Sequence, residues 1–303
     1  MTLNDLIQRK RGIQKKPMYD PEVHEYHLTL RKPWRSSTEI TGIPSMDGEM
    51  ELLTNMFKEK MHEWICNHKL ISFTGLEAFP DKNVCLGVTH QLDELYIMHP
   101  NKIVIFNGDY NYHTRLFPNI TKRTVSTLSA GDVLIMATPF TWFNNDVHPN
   151  MQNILMRCLQ LNIPVHIDAA WYPCCRDINF NINHPAIQTI TFSLSKAFGM
   201  GAHRIGLRYS RKPINGPIKI MNDYSYINVA DMWTGLHFMK QFGTDFWWNK
   251  YEKHYNTLLD KCNLEPSKAI HVALFTDKKG NKIPIGVRKA LLYLESGQIF
   301  DWA

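Results

Sequence analysis

Six short apolar runs, separated by stretches of helical periodicity, set the strongest limit on how this chain can fold. They are Val84–Leu86, Lys102–Phe106 (KIVIF), Asp132–Ala137 (DVLIMA), Pro164–Ile167, Thr189–Ser193 and Ile205–Tyr209. Most are apolar at consecutive rather than alternate positions, the pattern of strands covered on both faces. Between them Gln91–Met98 and Asn150–Leu161 have helical spacing, and ahead of them Leu52, Leu53, Met56, Phe57, Met61 and Trp64 recur every three or four residues from Asp47 onward. Strands and helices that alternate in this way predict an α/β fold, a mostly parallel sheet with helices on both faces. In such sheets ligands bind beyond the carboxyl ends of the strands. Polar residues at those ends are therefore the first candidates for a site.

The 303 residues suffice for one large domain and a smaller one. Residues 1–45 are basic and punctuated by Pro17, Pro21, Pro33 and Pro44, and they are expected to form an arm with one short strand, Glu25–Leu30. Residues 46–228 are expected to form the large ligand-binding domain. Residues 229–303 are expected to form a long helix and an abridged C-terminal α+β domain. The helical signal from Val229 to Leu259 is broken at Gly243 and carries Trp233, Phe238, Phe242, Phe246, Trp247, Trp248 and Tyr251, read as core or subunit contact. After it, Ala269–Phe275 and Lys282–Val287 read as two strands around a Lys278–Asn281 turn, with Ala290–Glu295 as a closing helix.

Charge and cysteine usage exclude several classes. The net charge of +6 owes part of its excess to Arg9, Lys10, Arg11, Lys15 and Lys16, which read as a solvated arm. No finger spacing or aromatic ribonucleoprotein motif points to nucleic acid. Cys66, Cys85, Cys158, Cys174, Cys175 and Cys262 have neither a disulfide framework nor the paired spacing of a metal site. No apolar run is long enough to cross a bilayer. A cytoplasmic protein without a metal is expected.

Four segments carry chemistry. In Thr191–Ser210 (TFSLSKAFGMGAHRIGLRYS), Lys196 and Arg204 stand eight residues apart among Ser193, Ser195, Gly199, Gly201 and Gly206. A lysine that attacks a carbonyl needs apolar surroundings that lower its pKa, and an anion needs hydroxyls, backbone N–H groups and a fixed guanidinium. Asp168 closes the run VHID and is followed by Ala169, Ala170, Trp171 and Tyr172; it suits either a salt bridge or the pairing of a protonated ring nitrogen. Gly87-Val88-Thr89-His90 is a strand-to-helix turn with the donors an anion takes. Asp109-Tyr110-Asn111-Tyr112-His113 follows KIVIF and offers an aromatic for a flat ligand.

Taken together, the order of these segments resembles the aspartate aminotransferase superfamily, the fold-type-I pyridoxal-phosphate enzymes. SLSKAFGMGAHRIG is similar to that family's lysine signature, IDAAWY to its aspartate strand end, LGVTHQLDEL to its phosphate turn and helix, and GDYNYH to its stacking-aromatic segment. The likeness spans Leu86 to Tyr209. It implies pyridoxal 5'-phosphate as cofactor and Lys196 as the Schiff-base lysine. It makes Asp168 the partner of the pyridine nitrogen. Gly87, Val88, Thr89, Ser193, Ser195 and Arg204 become the phosphate ligands, and Tyr110 the stacking ring, with Tyr112 as the substitute. The activity implied is that of an aminotransferase working between a small amino donor and an oxo acceptor, built as a homodimer whose aromatic third furnishes contact surface. A decarboxylase, lyase or aldolase on the same scaffold is the alternative, as is an amino-sugar-directed or non-catalytic relative.

Three departures from the family pattern stand out. An asparagine that meets the cofactor's phenolic oxygen is replaced by TPFTWFNNDVHP, where Thr141, Asn144 and Asn145 are the candidates. A tyrosine usual three residues after the aspartate is Trp171, with Tyr172 beside it, and an indole donates without ionising. The C-terminal part is short, and Arg288, in a strand-like context, is its candidate for the substrate carboxylate.

Overall fold

The structure, a computed structural model, describes residues 20–36, 47–140, 144–198 and 203–297. Its centre is a seven-stranded sheet of β2 (Asp81–Cys85), β3 (Ile103–Phe106), β4 (Thr121–Arg123), β5 (Val133–Ala137), β6 (Val165–Asp168), β8 (Ile187–Ser193) and β9 (Gly206–Ser210). In space the order is β2-β9-β8-β6-β5-β3-β4, and β9 alone runs against its neighbours β8 and β2. All six apolar runs thus appear as strands of one mostly parallel sheet. Two further strands, β1 (Ile71–Thr74) and β7 (Ile178–Asn181), pair in parallel as a separate ribbon, and β10 (Glu265–Pro266), β11 (Val272–Thr276) and β12 (Lys282–Gly286) form a small antiparallel sheet.

The helices are set by their apolar stripes. In α1 (Pro21–Ser36), Val23 and Leu30 are buried and Tyr26 packs edge-on against Phe238 and Phe242, at 5.7 and 5.6 Å between ring centroids. This corrects the expected strand at Glu25–Leu30, which lies wholly inside α1. Val23, Tyr26 and Leu30 follow a helical period that the local alternation in EYHLTL disguises. Asp20 starts the helix by accepting from the Val23 N–H at 3.1 Å. In α2 (Asp47–Cys66) the buried face is Leu53, Phe57, Met61 and Trp64, while Leu52 and Met56 of the same run remain 61% and 42% exposed.

The helix after β2, α3 (Val88–Met98), lies on the sheet; α4 (Tyr112–Leu116) and α5 (Met151–Gln160) follow β3 and β5. After α6 (Pro217–Asp223) the long aromatic stretch divides near Gly243 into α7 (Val229–Gln241) and α8 (Phe246–Cys262). Phe238, Phe242, Trp247, Trp248 and Tyr251 are all buried, so these rings are core and not contact surface. The last helix, α9 (Arg288–Glu295), begins at Arg288, which is therefore a helix residue and not a strand residue. Among the described residues no helix is long and apolar enough to cross a membrane.

Candidate active site

The carboxyl ends of β2, β6 and β8 open on one side of the sheet, and the turn from β2 into α3 lies across them. Gly87 caps α3 with φ of +75°, a conformation that favours glycine. A Cβ there would stand 3.0 Å from Arg204 Nη2 and 3.2 Å from Ser193 Oγ. Behind it, the Cα of Gly87 comes within 3.2 Å of where a Cβ of Gly206 would sit, and that Cβ would also overlap the Phe192 carbonyl oxygen. Two glycines back to back thus let the α3 turn close onto β8 and β9.

Around this turn converge donors of the kind an anion takes. Arg204 Nη2 donates to Thr89 Oγ1 at 2.6 Å. Ser193 Oγ donates to Ser195 Oγ at 2.8 Å and accepts from the Ser195 N–H at 3.1 Å. No side chain caps α3 and no acid lies in its first turn, so its first N–H groups and its dipole face the same space as the guanidinium. Arg204 is fixed from below: its N–H donates to Asp231 Oδ2 at 3.0 Å, and Asp231 also holds Asn228 Nδ2 at 2.9 Å and His203 Nδ1 at 2.8 Å. Asp231 escaped sequence reasoning, since it lies in a helical stretch 27 positions beyond Arg204. Gly199 and Gly201 lie outside the described residues, as does Thr141.

Next to these residues stand two titratable groups whose pKa values are shifted by burial. Asp168 is buried at the end of β6 and accepts from the Ala170 N–H at 2.8 Å. Burial pushes its carboxyl from the ordinary 3.8 up to about 6, against the downward pull of the Ala170 N–H and the Lys196 and Arg204 charges. Lys196 is half-buried, and its pKa is lowered first by burial, with Cys174 and Asp168 opposing and the Arg204 and Arg288 charges adding to the fall. Its Nζ lies 5.1 Å from the Trp171 ring. Tyr172, beside Trp171, points elsewhere: its hydroxyl donates to the Ile65 carbonyl at 3.0 Å.

On the other flank, Tyr110 has its hydroxyl pKa raised by burial and then by the Asp168 charge, with Arg204 acting in the opposite sense. It stacks on Tyr112 at 5.9 Å between centroids and 15° between planes, and Tyr112 donates to Asp93. Asp109, which the sequence marked only as the neighbour of this aromatic, is buried. It accepts from the Tyr110 N–H at 2.6 Å and from the Ala137 N–H at 3.2 Å, tying the end of β3 to the end of β5. Burial lifts its carboxyl to about 7.

Further polar residues come from beside the C-terminal sheet. Asn145 is buried; its Oδ1 accepts from Ser267 Oγ at 3.1 Å, whereas its Nδ2 has no partner among the described residues. Asn144 contributes its carbonyl to Ser267 Oγ at 3.3 Å, and its Oδ1 has no partner among the described residues. Arg288 is half-buried and near enough for its charge to act on both Lys196 and His271. The structure therefore brings Gly87, Thr89, Ser193, Ser195 and Arg204 into direct contact, and it sets Asp168, Lys196, Tyr110 and Trp171 beside them. It adds His271, which no sequence motif marked.

A mostly parallel α/β sheet with one reversed strand and helices on its faces is the architecture of the aspartate aminotransferase fold, and solved structures of that fold match most of the chain. The chain is similar to the aspartate aminotransferase of Thermotoga maritima at a TM-score of 0.60 and 11% identity, over 97% of this chain and 94% of that one. It is similar to the alanine aminotransferase of Pyrococcus furiosus at 0.56 and 13%, over 89% and 80% of the two chains. It is also similar to the pyridoxal-phosphate-bound C–S lyase of Staphylococcus hominis at 0.58 and 12%, over 94% and 92%. No protein-family model matches the chain, and no curated protein sequence does. At such identities the likeness is one of fold.

Proposed function

We propose that the chain is a pyridoxal-phosphate-dependent aminotransferase acting on an amino acid or related amine, with Lys196 as the residue that carries the cofactor. The observation that supports this most is the half-buried Lys196, its pKa lowered, beside the buried Asp168 and next to the cradle of Gly87, Thr89, Ser193, Ser195 and Arg204. The residues fit the group. The cradle has room only because Gly87 lacks a Cβ, and it collects the donors a phosphate takes. Asn145 Nδ2 is a buried donor with no protein partner among the described residues, which suits a phenolic oxygen. Tyr110 offers a ring within electrostatic reach of Asp168.

When bound, the cofactor supplies an aldehyde that condenses with amines and a protonated ring that takes up electrons from the substrate's Cα. The chain's own residues do the rest. Gly87, Val88, Thr89, Ser193, Ser195 and Arg204 hold the phosphate and so fix the ring. Asp168 faces the ring nitrogen as a carboxylate and holds its proton there. Lys196 Nζ, its pKa lowered by burial, takes the proton from the substrate Cα and returns it as general acid. Trp171 covers one side of that nitrogen and keeps water from it. Arg288 meets the substrate carboxylate.

A homodimer in the cytoplasm accompanies this reading, and so does the division into an arm of residues 1–45, a cofactor domain of residues 46–228 and a small domain of residues 229–303. A lyase reaction on the same residues is the second reading, favoured by the likeness to the C–S lyase. The cofactor-loaded protein is expected to show a visible absorbance band that borohydride removes, and Lys196→Ala is expected to lose it. Incubation with amino donors should convert the bound pyridoxal form to the pyridoxamine form. A band without that conversion, with release of a cleaved side chain, moves the assignment to the lyase; a colourless protein that takes up no cofactor ends it.

A further inference from the structure

Behind the segment that follows Lys196 lies a cleft of about 650 Å³, lined by no residue of the candidate site. One wall is the end of α2, where Lys60, Trp64 and Asn67 recur at helical spacing. The other is the break between α7 and α8, from Phe242 to Phe246, with Lys250 one turn further on. Gly243 opens this break: a Cβ there would meet no atom within 4 Å. The inner surface of the cleft touches the lysine segment. The rings of Trp64 and Phe242 lie 5.5 and 5.9 Å from that of Phe198, between centroids, and the adjoining Trp247 donates its Nε1–H to the Ala197 carbonyl.

The charges on these walls do not cancel. Both carboxylates of the lining are engaged. Asp245 lies beside His68 and accepts from the Lys69 N–H at 3.2 Å on each oxygen. Glu22 stands 2.9 Å from Lys250 Nζ, which also meets the buried Asp20 at 2.9 Å. Two lysines of the lining are left over. Lys60 pairs with Glu63 at 3.0 Å, but Glu63 does not line the cleft and its side chain is 58% exposed, so water screens that pair. The Lys69 ammonium has no ion pair or hydrogen bond among the described residues. Asn67, Gln241 and Asn249 add amide groups that donate and accept. A phosphate monoester near neutral pH carries close to two negative charges on three acceptor oxygens, which matches two ammonium groups. A single carboxylate would leave one of them unmatched. The cleft is also far larger than a phosphate group, and its amides suit a polar body attached to one.

We propose that this cleft is an effector site for a phosphorylated polar small molecule of the sugar-phosphate class. Lys60 and Lys69 hold the phosphate, and the amides of Asn67, Gln241 and Asn249 meet the body. Occupancy draws the end of α2 and the α7–α8 break together, and Phe198, in contact with Trp64 and Phe242 from those two walls, passes the change to Lys196 two residues earlier. Binding in the cleft does not depend on what Lys196 carries.

The test uses the full chain loaded with pyridoxal phosphate, which fills the cradle, and freed of excess cofactor by gel filtration. Calorimetry then compares glucose 1-phosphate with the neutral methyl glucoside. The wild-type protein is expected to bind the phosphate at least tenfold more tightly. Two variants are expected to weaken that binding tenfold or more, the factor that one charge-assisted hydrogen bond is worth. One is Lys60→Gln with Lys69→Gln. The other is Gly243→Phe, whose side chain enters open space from a backbone outside the left-handed region. Both should keep the visible absorbance of the cofactor. In wild type, glucose 1-phosphate should shift the pH at which that absorbance changes, and at the same concentration the variants should show no shift. A wild type that does not bind the phosphate overturns the site, as does binding that survives both variants or a glucoside bound equally well. Binding that leaves the absorbance unmoved at every pH overturns the effector role. A chain that takes up no cofactor ends the pyridoxal-phosphate reading alone. In that chain, binding lost in Gly243→Phe and kept in Arg204→Gln supports the cleft, whereas the reverse puts the sugar phosphate in the cradle and overturns the proposal.

Discussion

Asp109 and Asp168 are buried carboxylates within electrostatic reach of one another, and each binds its proton more tightly in the folded chain than in the unfolded one. The sign follows from linkage: a carboxyl raised from 3.8 to about 7, as Asp109 is, stabilises the fold fully below pH 4, and that contribution is lost as pH rises through 7. Each pH unit of that shift corresponds to about 1.4 kcal/mol. The buried His113, His166 and His271, all lowered, act in the opposite sense between about pH 3 and 6.5, so the informative quantity is a difference. Relative to wild type, cofactor-free Asp109→Asn should gain stability steadily from pH 4 to pH 8 in urea titrations. A difference that is flat with pH would show that Asp109 is not held uncharged by its site. Neither Asp109 nor His271 was legible in the sequence. Asp109 takes its meaning from the Ala137 N–H, 28 positions away, and His271 from a ladder partner and a tryptophan in the turn after β6. Lys196, Asp168 and Arg204 were legible because their neighbours in sequence are also their neighbours in the site.

Among the elements, α3 matters most, because its first turn is part of the cradle and its flank is bound to the sheet by polar groups. Gln91 hydrogen-bonds Thr189 and Thr191, and Glu94 pairs with Arg208 of β9 while its Oε1 accepts from the Ile218 N–H at 2.8 Å. Arg208 and Glu94 side chains are both fully buried. Removing only the arginine strands a carboxylate, so Arg208→Met should cost about 3–5 kcal/mol of unfolding free energy. Arg208 Nε and Nη2 have no partners among the described residues, so the pair is incompletely satisfied and its joint removal is cheap. The double variant Arg208→Met, Glu94→Gln should therefore recover most of the loss, as read by urea midpoints; additive losses would mean that the two act separately. The sequence showed α3 as a helix but placed Gln91 and Glu94 on no particular face, because polar residues at helical spacing usually meet water. Here the hydroxyls of Thr189 and Thr191 and the guanidinium of Arg208 give them an interior to face. The strands β1, β4 and β7 went unseen because three or four residues, partly exposed, leave too little periodicity to count.

Over the whole molecule the site draws on residues from Gly87 to Arg288, and the late residues are fastened to the early ones by backbone bonds. The Ile270 N–H donates to the Cys174 carbonyl at 3.0 Å and the Arg176 N–H to the Lys268 carbonyl at 2.9 Å, and a side-chain bond from Ser267 Oγ to Asn145 Oδ1 adds to them. The sequence separated a large domain from a small one but gave no sign of this seam, since main-chain bonds leave no trace in side-chain pattern. The proposed homodimer has its own test at this scale: light scattering should report the mass of two chains, and Leu52→Glu with Met56→Glu, on the exposed apolar edge of α2, should shift it toward one if that edge is the contact. A mass of one chain for the wild type would rule the dimer out. The seam also bears on how the protein is made. A nascent chain that has left the ribosome only as far as α8 already contains every residue of the proposed phosphate cradle, whereas Trp171, Cys174 and Asn145 lack the contacts that residues 267–271 bring. On the proposed reading, the residues that would hold the phosphate are therefore all made before the segment that supplies the partners of Cys174 and Asn145, so the two halves of the site are completed at different times in synthesis.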